Sequence, residues 1–122
     1  MFEVRVEALF SAAHFLRDYH GKCENLHGHN YTVFAHIRGG ALGEGGMLVD
    51  FAVIKKHLRA VCDSLDHTNL NEMPEFKQNP SAERIAQFIF EKLEPLAAAS
   101  NAALYAIDVF ETPASRARYT KG

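Results

Sequence analysis

The sequence has few cysteines, little net charge and no long hydrophobic run near its start. It contains two cysteines in 122 residues, and its formal net charge is -2. A chain without a basic excess offers no electrostatic footprint for nucleic acid or an anionic membrane, so we expect a small-molecule partner. Glu3, Arg5 and Glu7 interrupt the first apolar residues, so we expect neither a signal sequence nor a membrane span there. The default expectation is a cytoplasmic protein.

Two cysteines in a cytoplasmic chain are more often a reactive thiol and a packed thiol than a disulfide. Cys62 falls within a helical apolar pattern, so we assign it to the core. Cys23 lies in a polar stretch and is the candidate reactive thiol. Hydrophobic residues make up 48% of the chain, an ordinary globular composition, and the length predicts a single domain covering residues 1–122.

Alternation of apolar and polar residues predicts two strands in the first third of the chain. The even positions from Phe2 to His14 share one face of the first strand. After a polar loop from Arg17 to Asn25, the odd positions from His27 to Ile37 share one face of the second. The glycine-rich segment 39–46 predicts an irregular, flexible connection.

Apolar residues spaced by three and four predict two helices. Asp50 is the expected N-cap of the first helix, and a polar stretch from Asp66 to Asn79 follows it. Asn79 and Pro80 are the expected N-cap and first residue of the second helix, and Pro95 is expected to end it. The apolar positions are Phe51, Ile54, Leu58, Val61 and Leu65 in the first helix and Ile85, Phe88, Ile89, Leu93 and Leu96 in the second.

Two further strands follow the helices. The odd positions from Ala103 to Glu111 share one face of a third strand, and a turn at Pro113 leads to a fourth from Ser115 to Thr120. The order ββααββ predicts an α+β fold in which both helices cover one face of a four-stranded antiparallel sheet. Because the edges of such a sheet are unpaired, we expect a homo-oligomer.

Three histidines are the candidate metal ligands. His27 and His29 project to the same side of a strand, and Gly28 between them leaves room for a ligand. His14 ends the preceding strand on its apolar face, so antiparallel pairing would bring it beside them. Three imidazoles with an open fourth position are typical of catalytic zinc. Two alternatives stay open: ordinary histidines, or a structural site closed by Cys23, although its spacing is unusual for structural zinc.

Two acidic positions are the other candidates. Asp66 and His67 are adjacent, and such a pair can supply an acid or base with an orienting carboxylate, although solvated loop pairs are common. Glu111 ends an apolar stripe, where a carboxylate needs a partner. That partner is either Arg116 or Arg118 across the turn, or a donor pair on a ligand such as a pterin or guanine.

Six segments of the sequence, in order, resemble the 6-pyruvoyl-tetrahydropterin synthase superfamily. Together they run from about Phe10 to Thr112, nearly the whole chain. Three residues separate Cys23 from the His-Gly-His triplet, which resembles the bacterial 6-carboxy-5,6,7,8-tetrahydropterin synthases of queuosine biosynthesis. The segments are FSAAHFL, CENLHGHNY, GMLVDF, LDHTNLN, NPSAE and FET.

The resemblance implies a role for each candidate residue and an assembly. The implied fold is the tunnelling fold, in which two stacked trimers form a homohexamer with active sites between subunits. Ser81 departs from the threonine more common in the family but keeps the hydroxyl. The implied roles are zinc ligands for His14, His27 and His29, proton-transferring thiolate for Cys23, relay for Asp66 and His67, pterin anchor for Glu111, and substrate contacts for Ser81 and Thr112.

The implied reaction is that of a carbon-carbon lyase. It converts 7,8-dihydroneopterin triphosphate to 6-carboxy-5,6,7,8-tetrahydropterin and releases acetaldehyde and triphosphate. One alternative is a 6-pyruvoyl-tetrahydropterin synthase, which eliminates triphosphate and isomerises the side chain. Another is a non-catalytic binding module stabilised by zinc.

Overall fold

The computed structural model describes residues 1–17, 21, 25–76 and 79–122. Within these residues, five strands form one sheet in the order β3-β1-β2-β4-β5, and two helices accompany it. No helix among them is long and apolar enough to cross a membrane. The elements are β1 (Phe2–His14), β2 (His27–Gly39), α1 (Phe51–Leu65), β3 (Thr68–Asn69), α2 (Ala82–Ala97), β4 (Ala103–Thr112) and β5 (Ser115–Tyr119).

The α+β class and the two helices are confirmed, but the prediction of four antiparallel strands is wrong. The additional strand, β3, runs parallel to β1 and pairs Thr68 with Ala12 and Asn69 with Ala13. It lies inside the polar stretch that separates the helices. Two residues are too few to show a period-two pattern. The strand forms because the chain after α1 comes back beside the edge of β1 and pairs with it.

The predicted faces of β1 and β2 are confirmed. Alternate residues of the two strands point into a core that α1 and α2 cover. Cys62 belongs to this core, and burial raises the pKa of its thiol to about 12, so it is a packed, protonated thiol. Fully buried side chains of this core include Tyr31, Val33, Ile37, Leu58, Leu65, Ile85, Ile89, Leu93 and Ile107.

Both predicted ends of α2 need correction. The N-cap is Ser81, whose Oγ accepts a hydrogen bond from the Arg84 backbone N–H. Asn79 does not cap the helix, because its side chain binds the backbone of Arg17 instead. Pro95 lies inside the helix, which continues to Ala97. A proline in the last turn removes only one hydrogen bond, and the burial of Ala97 keeps that turn packed.

The predicted face of β4 is right only in its second half. His36 pairs with Ala106 while Ile37 pairs with Leu104, so Tyr105 is an extra residue in a β-bulge. Before the bulge the buried residue is Leu104, and Ala103 is exposed. In the irregular segment 39–46 the structure adds one short 3-10 turn, Glu44–Gly46, and β5 ends one residue before the predicted Thr120.

Candidate metal centre

The antiparallel pairing of β1 and β2 brings the three candidate histidines together. His14 lies directly opposite His27, and His29 lies opposite Ala12. All three imidazoles therefore share the core face at one end of the sheet. One ring nitrogen from each lies within 4.8 Å of the others, with His14 buried and the other two half-buried. This spacing suits three ligands of one metal ion.

Hydrogen bonds on the outer side of two rings fix their tautomers. The His14 Nδ1 lies 2.7 Å from the Pro80 carbonyl oxygen, and the His27 Nδ1 lies 2.7 Å from the Asn25 carbonyl oxygen. A carbonyl oxygen only accepts, so each Nδ1 carries the proton and donates. In a neutral ring with this tautomer, Nε2 carries the lone pair that a metal ion binds. This is how proteins orient metal-binding histidines.

The Nε2 of His14 provides the test of whether a metal ion fits. It is buried and has no hydrogen-bond partner among the residues that the structure describes. The carboxylate oxygen Oε1 of Glu111 lies 3.5 Å away, but the His14 proton is on Nδ1, so Nε2 has none to donate to it. Burial lowers the pKa of His14, which keeps the ring neutral. A divalent cation would satisfy the lone pair, and three neutral imidazoles are a ligand set that suits zinc.

A second β-bulge directs Glu111 toward this centre. Phe110 pairs with Arg116 while Thr112 pairs with Ser115, so Glu111 is the extra residue on β4. Bulges commonly re-aim a side chain at a functional site. The half-buried Glu111 carboxylate points at His14.

The alternative of a salt bridge between Glu111 and an arginine of β5 is not what the structure forms. Arg118 donates to both carboxylate oxygens of Asp108, at 2.7 and 2.9 Å. Arg116 approaches the same carboxylate, with its Nη1 3.7 Å from Oδ2. Both arginines of the pair thus face Asp108 on the other side of the sheet.

Asp66 and His67 form the predicted pair of carboxylate and imidazole. Oδ2 of Asp66 lies 2.7 Å from Nδ1 of His67, and its Oδ1 accepts a hydrogen bond of 2.8 Å from the Ser11 backbone N–H. The Ser11 N–H and the His67 ring lower the pKa of Asp66. The His67 backbone has φ 56° and donates to the Ser11 carbonyl at 2.6 Å. This left-handed conformation costs energy in a residue other than glycine, and the contact with Ser11 sustains it.

The structure does not place this pair among the three histidines of the same chain. Ser11 precedes His14 by three residues, about 10 Å along a strand. The His67 side chain is 84% exposed. Together with His29, it lines an open hollow beside β3. A ligand in that hollow can contact both residues, and the His67 ring faces solvent.

The remaining predicted residues lie in different settings. Ser81 and Thr112 use their side-chain oxygens locally, Ser81 as the helix cap and Thr112 as acceptor from the Ala114 N–H at 3.2 Å. Cys23 lies outside the described residues.

Sequence reasoning missed two neighbours of the centre. Tyr31 is fully buried, and its hydroxyl lies 3.4 Å from His14 Nδ1. It shares the strand phase of His27 and His29, a signal that could have found it. The Pro80 carbonyl, which orients His14, is a backbone group and has no sequence signal.

Comparison with known proteins places the chain in a family. Residues 3–122 match the family described as 6-pyruvoyl tetrahydropterin synthase. A Synechocystis protein named 6-carboxy-5,6,7,8-tetrahydropterin synthase is 39% identical, with 98% of this chain and 93% of that protein aligned. A Bacillus subtilis protein of the same name is 37% identical over 76% of this chain and 66% of its own length.

Solved structures agree with the sequence matches. The structure of Caenorhabditis elegans 6-pyruvoyl tetrahydropterin synthase superposes with a TM-score of 0.83. It is 34% identical, and the superposition covers 100% of this chain and 98% of the other. The chain therefore belongs to the 6-pyruvoyl tetrahydropterin synthase family.

Proposed function

We propose that the protein is a cytoplasmic 6-carboxy-5,6,7,8-tetrahydropterin synthase of queuosine biosynthesis. It converts 7,8-dihydroneopterin triphosphate to the carboxytetrahydropterin and releases acetaldehyde and triphosphate. The names of the Synechocystis and Bacillus relatives support this branch of the family. The observation that carries the proposal is the buried His14 Nε2, which has no hydrogen-bond partner among the described residues and lies beside two more imidazoles and a carboxylate.

In this proposal His14, His27 and His29 hold a zinc ion. Bound zinc supplies a Lewis acid that makes hydroxyl groups of the substrate more acidic. The carboxylate of Glu111 binds the pterin by accepting two hydrogen bonds, from the amino group and the ring N–H. Its half-buried position strengthens these charge-assisted bonds, because few water molecules compete for the carboxylate.

The proton transfers are assigned to Cys23, Asp66 and His67. The thiolate of Cys23 removes a proton from a substrate carbon. Asp66 accepts from the Nδ1 of His67 and so keeps the other ring nitrogen available as a base. Ser81 and Thr112 add substrate contacts.

His67 is not part of the group of three histidine ring nitrogens, and this favours an assembly. We propose that the chain folds as one tunnelling-fold domain of residues 1–122 and assembles as a homohexamer, a dimer of trimers. Asp66 and His67 of one subunit then complete the site formed by the histidines of its neighbour. The exposure of His67 is consistent with such a contact.

Incubation of the zinc-loaded protein with 7,8-dihydroneopterin triphosphate tests the activity. Mass spectrometry should identify 6-carboxytetrahydropterin, and acetaldehyde should appear in equal amount. Formation of 6-pyruvoyl-tetrahydropterin without acetaldehyde would contradict the carbon-carbon cleavage. That result would instead support a 6-pyruvoyl tetrahydropterin synthase, the name of the similar C. elegans protein.

Substitution of Cys23 separates the enzyme from a zinc-stabilised binding module. In the proposed enzyme, Cys23→Ala keeps its zinc and its assembly but loses at least about 100-fold in turnover. Cobalt(II) in place of zinc should then show no strong thiolate charge-transfer band in the wild-type protein. Loss of the metal in Cys23→Ala would instead identify Cys23 as a ligand in a closed shell.

A further inference from the structure

Two asparagine side chains hold the chain immediately after His14. Asn71 accepts from the Phe15 N–H at 2.8 Å and donates to the Phe15 carbonyl at 3.0 Å. Asn79 accepts from the Arg17 N–H at 2.7 Å and donates to the Arg17 carbonyl at 3.0 Å. Each side-chain amide therefore satisfies both backbone groups of one residue, as a neighbouring strand would.

These contacts continue the pairing of β1 where β3 stops. The backbone pairs of β3 with β1 involve only Ala12 and Ala13. In an extended chain, alternate residues present their N–H and C=O to the same edge. Phe15 and Arg17 have this spacing. The two asparagines thus take the place of a longer β3 and fix the edge beyond His14.

Asn79 also connects these backbone contacts to the imidazole of His14. The next residue, Pro80, is buried, and its carbonyl oxygen accepts the 2.7 Å hydrogen bond from His14 Nδ1. One dipeptide therefore holds both the backbone of Arg17 and the ring of His14. Displacement of Asn79 would move the Pro80 carbonyl, which orients the His14 ring.

We propose that Asn71 and Asn79 are positioning residues of the metal centre. Asn71 holds the end of β1 against the 3-10 turn after β3, and Asn79 holds it against the residues before α2, so that the His14 Nε2 faces His27 and His29. This inference rests on the proposed zinc site and concerns residues that do not touch the metal. Partners that orient a ligand typically change metal affinity by about 10- to 100-fold when removed.

The chain offers a matched control in Asn101. Its side-chain amide also makes two hydrogen bonds to backbone, to the carbonyls of Ala41 and Leu48, each 3.0 Å long. These lie beyond the Gly39 end of β2, whereas the metal centre is at its His27 end. Alanine at any of the three positions removes two side-chain-to-backbone hydrogen bonds, so the expected losses of stability are similar.

Zinc affinity of the full chain, measured by competition with a chromogenic chelator, tests the proposal. Asn71→Ala and Asn79→Ala should each lose about 10-fold or more, and Asn101→Ala should stay within about twofold of wild type. Thermal melts of the metal-free proteins should show similar shifts for all three. Wild-type affinity in both site variants, or an equal loss in Asn101→Ala, would overturn the proposal.

Aspartate variants keep the test valid if an alanine variant fails to fold. Asn71→Asp and Asn79→Asp retain the acceptor oxygen but place a carboxylate oxygen against the carbonyl of Phe15 or Arg17. Each should still lose at least about fivefold in zinc affinity, and unchanged affinity in both contradicts the proposal. A wild-type chain that binds no zinc refutes the metal centre and this inference together. A wild type that binds zinc beside unaffected asparagine variants refutes only the positioning role.

Discussion

Two buried histidines on opposite faces of the same sheet, His14 and His36, differ in how their ring nitrogens are used. His14 is 1% exposed and His36 is 7% exposed. His36 has a carboxylate at each nitrogen, Asp108 at 2.7 Å and Glu3 at 3.4 Å. His14 has a partner at Nδ1, the Pro80 carbonyl, and none among the described residues at Nε2. A buried polar atom without a partner costs energy, so His14 indicates a ligand and His36 does not.

The surroundings of His36 complete this contrast. Burial would raise the pKa of Asp108, but hydrogen bonds from Arg118 and His36 outweigh it and lower the pKa below the ordinary value of 3.8. The cluster contains its own cations and anions, and Arg38 adds a 2.6 Å contact to Glu3. Such a cluster is satisfied by the fold alone. On the other face, His14 Nε2 has no hydrogen-bond partner among the described residues and lies 3.5 Å from a carboxylate oxygen of Glu111.

Substitution of the two histidines should give opposite results, and this is the largest effect we expect. His14→Ala removes a proposed zinc ligand and should lower zinc affinity by more than about 100-fold, beyond the effect of losing an orienting partner. His36→Ala should leave zinc affinity within about twofold and lower only the stability. The same chelator competition measures both. Equal losses of zinc affinity would mean that the hydrogen-bond partners of the ring nitrogens do not distinguish a metal-binding histidine from a structural one.

Removal of the Asp108 charge should destabilise the protein without affecting the metal. Asp108→Asn leaves Arg118 and His36 without their shared anion, and we expect a loss of about 2 kcal/mol in the free energy of unfolding. Urea denaturation of the metal-free protein measures this loss, and zinc affinity is the control. A fall in affinity comparable with that of His14→Ala would show that the two faces are coupled.

The same contrast explains what could be predicted from the sequence. The period of two in β1 and β2, together with antiparallel pairing, places His14 beside His27 and His29, because both strands are long and regular. The partner of His36 is 72 residues away, and the bulge at Tyr105 changes the phase of β4 just before Asp108. No local pattern records such a shift.

Hydrogen bonds from side chains to distant backbone groups could not be predicted from the sequence either. Asn79 has the sequence features of a helix cap, but the backbone of Arg17, far away in sequence, takes its amide. Ser81 caps the helix instead. The two-residue strand β3 depends on the same tertiary contacts. These features depend on how the segment between the helices packs against the end of β1, and sequence periodicity contains no information about that packing.

Acid should reduce the stabilisation that Asp108 provides. Its folded-state pKa is below its ordinary value, so the carboxylate stabilises the fold above about pH 4, and this contribution is lost as the pH falls through the folded-state pKa. The groups that face it, His36, Arg118 and Arg116, are the same in wild type and Asp108→Asn. The gap in unfolding free energy between the two proteins should therefore narrow as the pH falls from about 5 to about 3, the range in which the Asp108 carboxylate takes up its proton. A constant gap would assign the stabilisation to packing.

Glu3, the other carboxylate at His36, should contribute least. Glu3→Gln breaks the 2.6 Å contact with Arg38, but the two side chains are 38% and 43% exposed. Water replaces most of such a pair, so we expect a loss below about 1 kcal/mol, which added salt should reduce further. Arg38 stays placed because its guanidinium lies 3.4 Å above the Tyr105 ring. Urea denaturation beside Asp108→Asn measures the difference. Of the two carboxylates at His36, Asp108 is buried and Glu3 is not. Equal losses of unfolding free energy from the two substitutions would mean that burial does not determine how much each carboxylate stabilises the fold.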